Sequence, residues 1–332
     1  MTGKSILVTG GGGYVGAVLV PELLARGYGV TVLDLFLYGR DVLDGVASNS
    51  RLKTVEGDIR NQGLLAEVVP GHDAVIHLAC ISNDPSFELD PELGKSINLL
   101  AFPALVDVAR ESGVERFIYA SSSSVYGLKD EVEVTEDMVL EPLTDYSQYK
   151  ADCEAMLAER DDDDFTTVTV RPATVCGYSP RQRLDVIVNI LTNHAVNTGS
   201  IKVFGGAQKR PNIHIRDMVE SYSVLLEAPR DLIRREIFNV GYENHTVMEL
   251  ATMVREIVGL KNVDIEVVPT DDNRSYHVSS KKIARVLGFQ PSFTIAEAVQ
   301  DLVDAFNDDL LPDSMMDSRY FNIKRMQEVN LQ

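Results

Sequence analysis

Short apolar runs alternate with longer amphipathic stretches through the first half of the chain. Six runs rich in β-branched residues predict strands: Ile6–Val8, Val30–Leu33, Leu52–Val55, Ala74–Leu78, Arg116–Ala120 and Thr166–Val170, most of them bounded by Gly, Asp or Ser. Between them, Val15–Arg26, Gln62–Val69, Leu93–Ser112 and Tyr146–Arg160 carry apolar residues at three- and four-residue spacing, which predicts helices. Gly27 and Gly113 stand where helix C-caps belong. Such alternation feeds βαβ units into one doubly wound parallel sheet, an α/β fold. Beyond Pro172 the pattern loosens into a helix Leu184–Asn197, strands Ile201–Phe204 and Ile237–Val240, and helices Asp217–Leu226, Met248–Val258, Ser280–Leu287 and Ile295–Phe306.

Composition narrows the partners. Among 332 residues, 31 Lys and Arg against 50 Asp and Glu give a net charge of −19, with no basic patch to attract phosphate backbones or anionic lipid, so neither nucleic acid nor membrane is expected. No run approaches the roughly 20 apolar residues of a membrane span. The N-terminal stretch lacks the apolar core of a secretory signal, and Cys80, Cys153 and Cys176 form neither a CxxC pair nor a histidine cluster. A cytoplasmic protein without a metal site is the expectation. The Asp161–Asp164 run predicts a solvated turn.

Chemistry enters at the first turn. Thr9-Gly10-Gly11-Gly12-Gly13-Tyr14-Val15-Gly16 joins the first strand to the first helix with glycine at the first, fourth and seventh places of the G-x-x-G-x-x-G spacing. Gly10 permits a tight turn, Gly13 admits a pyrophosphate to the backbone, Gly16 lets the helix press on the sheet, and the helix N-terminus favours negative charge. Asp34 ends the second strand 24 positions after Gly10, where a carboxylate meets the adenosine ribose and repels a 2′-phosphate. This reads as a Rossmann site for NAD, although Arg40 is near enough in sequence to receive such a phosphate. Asp58 follows the third strand and suits either the adenine amino group or a helix N-cap.

Tyr146 and Lys150, four apart on a predicted helix, share one face. Ser121-Ser122-Ser123-Ser124 follows the fifth strand, at the end of a parallel sheet where ligands bind. A phenol titrates near about 10, and a neighbouring ammonium lowers that value and turns the phenol into a usable base.

These motifs resemble the extended short-chain dehydrogenases/reductases, the group of NAD-dependent nucleotide-sugar epimerases and dehydratases. The likeness rests on Thr9–Gly16, Asp34, Gly57-Asp58-Ile59, His77-Leu78-Ala79, Asn98, Ser121–Gly127, Tyr146–Lys150, Arg171-Pro172 and Arg210–Asp217. It implies Tyr146 as base, Lys150 as its electrostatic partner and Ser122 as the hydroxyl sharing the substrate oxygen. It implies a cofactor cleft lined by Gly10, Gly13, Tyr14, Val15, Gly16, Asp34, Asp58, Ile59, Leu78, Ala79, Cys80, Tyr146, Lys150 and Pro172, and helix backbone fixed by Asn98. Ser122, Ser123 and Thr174 would meet the sugar, with Arg210 and Arg274 on the substrate diphosphate and Arg181 and Arg183 near the sugar end. The corresponding division is an NAD-binding domain over residues 1–175 with a return segment near 213–242, and a smaller α/β substrate-binding lobe from 176–212 and 243–332. The likeness also implies a homodimer through Leu93–Ser112 and Tyr146–Arg160, with Leu99, Leu100, Leu105, Val108 and Met156 at the seam.

Departures select the reaction. The 4,6-dehydratases of this group carry an Asp-Glu pair where this chain has Ser123 and Ser124, and members that epimerise beside a ketone carry a cysteine in place of Ser124. Thr174, Cys176 and Tyr149 also replace the group's usual asparagine, tyrosine and serine. What remains is redox chemistry at one carbon, and the expectation is a nucleotide-sugar C4 epimerase working through a transient 4-keto sugar. The alternatives are a keto-sugar reductase or decarboxylase of the same fold, and a non-catalytic dinucleotide sensor, which would have no need of a phenolate.

Overall fold

The computed structural model describes residues 3–82, 84–129, 131, 133–259, 263–270, 277–329 and 331. Seven strands form the central sheet: β1 (Ser5–Thr9), β2 (Gly29–Asp34), β3 (Leu52–Glu56), β4 (Ala74–His77), β5 (Arg116–Ala120), β6 (Thr166–Pro172) and, returning late in the chain, β10 (Glu236–Val240). All pair in parallel in the order β10-β6-β5-β4-β1-β2-β3. The chain leaves β1 toward β2 and returns to β4 on the other side, so the crevice where the order reverses opens at the carboxyl ends of β1 and β4, as in doubly wound sheets generally.

Both faces of the sheet are covered. Leu19 and Leu23 of helix Gly16–Ala25 pack with Tyr222 and Leu225 of helix Ile215–Glu227 on one face. Leu65, Leu105, Val106 and Leu157 pack helices Gln62–Val68, Phe102–Glu111 and Asp145–Glu159 on the other. The strands buried on both faces are near-continuous Val, Ile and Leu, which is why they stood out in the sequence.

The smaller lobe adds β7 (Thr174–Cys176), β8 (Ser200–Phe204), β9 (Lys209–His214), β11 (Glu243–Thr246) and β12 (Asp264–Val268). These form a three-stranded sheet, β11-β9-β7, and a β12-β8 pair. Helices Ile187–Thr198, Val247–Val258 and Ile295–Asn307 share its core around Leu191, Leu250 and Val299.

Three expectations need correction. Leu93–Ser112 is not one helix: Pro91–Lys95 runs into a π turn at Ser96–Leu100, closed by Ala101 N–H donating to the Ser96 carbonyl at 3.1 Å, before Phe102–Glu111 begins. Pro103 has no N–H to give a continuous helix and is tolerated only near a helix start. Leu105 belongs to the chain's own core and is not available to a seam, whereas Leu100 is 62% exposed. Asp161 is not a solvated turn residue: it is 5% exposed, accepts Thr167 N–H at 2.9 Å and pairs with Arg234. Among the described residues no His, Cys, Asp and Glu cluster could hold a metal ion, and no helix is long and apolar enough to cross a membrane.

Candidate active site

A cleft of about 400 Å³ follows the carboxyl ends of the central strands. Gly10 adopts φ +77°, and a Cβ there would lie 2.5 Å from the Ala79 amide nitrogen, so only glycine lets the turn after β1 approach the chain leaving β4. Gly16 has a different reason from the one its spacing suggested: its missing Cβ would sit 2.6 Å from Gly11 Cα, so the helix start presses on the turn and not on the sheet. The result is an open helix N-terminus beneath the cleft, suited to a diphosphate.

Asp34, at the end of β2, accepts the Gly12 N–H at 2.9 Å and the Phe36 N–H at 2.7 Å. Burial pushes its carboxyl up from the usual range, and these backbone donors oppose that push. Arg40 is turned away and pairs with Glu56. Asp58 is held by Arg60 at 2.6 Å; burial raises its carboxyl, but the Arg60 hydrogen bonds outweigh this and hold it below the usual value. Asp58 is no N-cap for the following helix, because Asn61 caps Gln62–Val68. Tyr14 lines the cleft with its hydroxyl committed to the Gly177 carbonyl at 2.6 Å, which ties the glycine turn to the smaller lobe.

Thr144 caps helix Asp145–Glu159 through a reciprocal bond with Ser147, fixing where the helix starts and hence where Tyr146 and Lys150 point. Both line the cleft. Lys150 is 4% exposed; its Nζ donates to the Ala120 carbonyl at 2.7 Å and lies 5.9 Å from the centre of the Tyr146 ring. Ser122, opening the short helical turn Ser123–Tyr126, places its Oγ 2.8 Å from Ser124 Oγ. Asn98 fixes loop backbone rather than helix backbone: its amide exchanges two 2.9 Å bonds with Ile81, just past β4.

The cleft therefore gathers every cofactor-side residue named from the sequence, Gly10 through Pro172, together with Ser122, Ser123 and Thr174. It also takes in Arg181 and Arg183, the latter paired with Asp185 at 2.6 Å. Arg210, in β9, is not among the lining residues, and one of its guanidinium N–H groups donates to the Lys209 carbonyl at 3.0 Å. Arg274 lies outside the described residues. Sequence reasoning missed Tyr38, Met218, Tyr222, Asn322 and Met326, which also line the cleft. The Asn322–Val329 helix buries only Asn322 and Met326, so an amide occupies the place where periodicity looks for an apolar side chain.

A reversal-point crevice, a turn at Gly10 and Gly16 with no room for a Cβ, a buried carboxylate at the end of β2 and a Tyr/Lys pair fit a dinucleotide and define a Rossmann-type nucleotide-dependent enzyme. Residues 6–241 match the NAD dependent epimerase/dehydratase family, and the chain belongs to it. It is 31% identical to the UDP-glucose 4-epimerase of Mycolicibacterium smegmatis, over 90% of this chain and 97% of that protein. Among solved structures it resembles a dTDP-glucose 4,6-dehydratase from Streptomyces venezuelae with NAD bound (TM-score 0.83, 27% identity, covering 92% of this chain and 97% of that one). It also resembles a UDP-glucuronic acid 4-epimerase from Bacillus cereus in complex with UDP-glucuronic acid and NAD (TM-score 0.82, 25% identity, 92% and 99% covered). Its cofactor is NAD.

Proposed function

We propose that this enzyme epimerises a nucleotide-diphosphate sugar at C4 through a transient 4-keto sugar. The observation that carries the reading is the distribution of carboxylates. Among the described residues lining the cleft, only Asp34 and Asp58 bear them, and both lie at the ends of β2 and β3, away from Tyr146. Expelling a sugar hydroxyl needs one group to protonate the leaving oxygen and another to take a carbon-bound proton. Around Tyr146 the cleft offers the hydroxyls of Ser122, Ser123, Ser124 and Thr174 instead, which orient oxygens and do not take up such protons at neutral pH.

The residues present suit a reversible redox step. The cleft residues from Gly10 to Pro172 would hold NAD, which would supply reversible hydride exchange with the sugar carbon. Tyr146 takes the hydroxyl proton at its phenol oxygen and later gives it back to the same substrate oxygen. Lys150, pinned by the Ala120 carbonyl, keeps its positive charge beside the Tyr146 ring and stabilises the phenolate. Ser122 supplies a second hydrogen bond to that oxygen, its hydroxyl already oriented by Ser124. Inversion requires the sugar to present its other face between the two steps, which a substrate anchored by its diphosphate can do.

The test is conversion of a panel of nucleotide sugars without added cofactor. A C4 epimer of unchanged mass, lost in Tyr146→Phe, is the expected result. No conversion until NADH is supplied, followed by a product two mass units heavier, would overturn it in favour of a reductase.

A further inference from the structure

The last helix of the chain is tied across the cofactor cleft by one side chain. Asn322 is 2% exposed and touches four separate places. Its Oδ1 accepts the Tyr38 hydroxyl at 3.0 Å and Arg181 Nη2 at 2.5 Å. Its Nδ2 donates to Ser82 Oγ at 2.9 Å, and its backbone N–H to Asp185 Oδ2 at 2.9 Å. Tyr38 follows β2 and Ser82 follows β4, the two neighbours of β1, so Asn322 spans the glycine-rich turn from both sides.

Arg181 shows what this arrangement is for. It is 4% exposed, its guanidinium stacks on the Tyr38 ring at 3.5 Å, and it lines the cleft. Yet among the described residues its Nε and Nη1, both buried, have no hydrogen-bond partner. A buried charged donor left unpaired costs more than a neutral one, so a fold that builds one expects an acceptor from outside the chain. The fixed planar fork of a guanidinium matches phosphate oxygens in pairs. Both NAD and a nucleotide sugar carry a diphosphate. Arg181 stands against Tyr38 and within electrostatic range of Asp34, on the dinucleotide side of the cleft.

We propose that Arg181 grips the diphosphate of NAD through Nε and Nη1, and that Asn322 is the positioning residue that holds Arg181 there and so retains the cofactor. The inference rests on the assignment of the cleft to NAD and not on the identity of the sugar reaction.

The experiment compares wild type, Arg181→Gln, Asn322→Ala and Asn322→Asp. It reads NAD content after purification, the Kd of NAD on stripped protein by calorimetry, and the Kd of UDP and dTDP. Asn322→Ala and Arg181→Gln are expected to purify with little NAD and to bind it about tenfold or more weakly, the loss of one charge-assisted contact. Their UDP and dTDP affinities stay as in wild type. Asn322→Asp keeps an acceptor for Arg181 and is expected to rescue NAD binding to within about threefold, which a purely structural role would not produce. Wild-type NAD affinity in Arg181→Gln, or equal loss in the Ala and Asp variants, overturns the proposal. Weakened UDP or dTDP binding with NAD unchanged overturns it as well, by placing Arg181 on the substrate. All readings are made without sugar turnover, so a failed epimerase assay leaves them intact.

Discussion

Arg171 and Glu154 form a buried ion pair, with Nη2 2.6 Å from Oε2 and both residues at most 5% exposed. It joins β6 to the helix that carries Tyr146 and Lys150. Glu154 also accepts the Ser121 hydroxyl, and Arg171 donates to the Tyr126 hydroxyl at 2.8 Å, which in turn donates to Asn239 at 2.6 Å. The serine loop, the helix of Tyr146 and Lys150, and β10 are thus locked by one network below the cleft, with both charges of the pair matched.

Breaking the pair from either side strands a buried charge. Glu154→Ala and Arg171→Ala are each expected to lose about 3–5 kcal/mol of stability. The double variant should lose clearly less than their sum, because no charge is then left alone. Urea unfolding of the three variants measures the coupling, and additive losses would show that the two residues do not act as a pair.

Gly10→Ala puts a methyl carbon 2.5 Å from a backbone nitrogen that cannot move away as a flexible side chain would, at a φ of +77°. The conformation alone costs about 1–2 kcal/mol, and the contact adds to it. The turn must open, so the expected outcome is loss of NAD from the purified protein together with a lower melting temperature. Retention of full NAD content would show that the turn tolerates a side chain.

The central sheet and most of the cleft were legible in sequence because burial on both faces writes itself as apolar runs, and because the glycines, Asp34, Tyr146 and Lys150 sit at spacings fixed by one turn or one helix. The smaller lobe was less legible. β9, β11 and β12 carry Lys209-Arg210-Pro211, Glu243-Asn244-His245 and a half-buried Ile265 between exposed Asp264 and Glu266, so their pairing comes from the sheet they join and not from their own pattern. Asn322 was hidden for a related reason: its burial is repaid by hydrogen bonds to distant segments, and one-dimensional periodicity carries no trace of them.

His77 is buried at the end of β4, with Nδ1 2.7 Å from Thr9 Oγ1 and its ring stacked on Tyr119. Burial lowers its pKa to about 3, and the Lys150 charge pushes the same way. The unfolded imidazole binds a proton near about 6.5, so between those values the unfolded state holds more protons and stability falls as pH falls. The contribution is fully present above about pH 6.5 and is lost below it at up to about 1.4 kcal/mol per pH unit. His77→Gln should flatten that acid limb relative to wild type in urea unfolding between pH 7 and pH 4.5. Parallel curves would mean His77 does not carry it.

Tyr146→Phe removes one oxygen from a ring that is 9% exposed and packed in the core, and leaves the Lys150 bond to the Ala120 carbonyl in place. It should therefore separate chemistry from binding. Turnover is expected to fall by about 10²–10⁴, the range for a lost general acid and base, with NAD content and melting temperature unchanged. Lys150→Met should behave differently. It leaves the Ala120 carbonyl without its donor and takes the ammonium from the faces of Tyr119 and Tyr146, so NAD affinity should fall along with turnover. Its residual activity should also rise with pH to a higher midpoint than wild type, because the phenol has lost the charge that favours phenolate. Single-turnover rates across pH, measured beside NAD occupancy for both variants, check the division of labour, and a Tyr146→Phe protein that still epimerises would remove the phenol from the reaction.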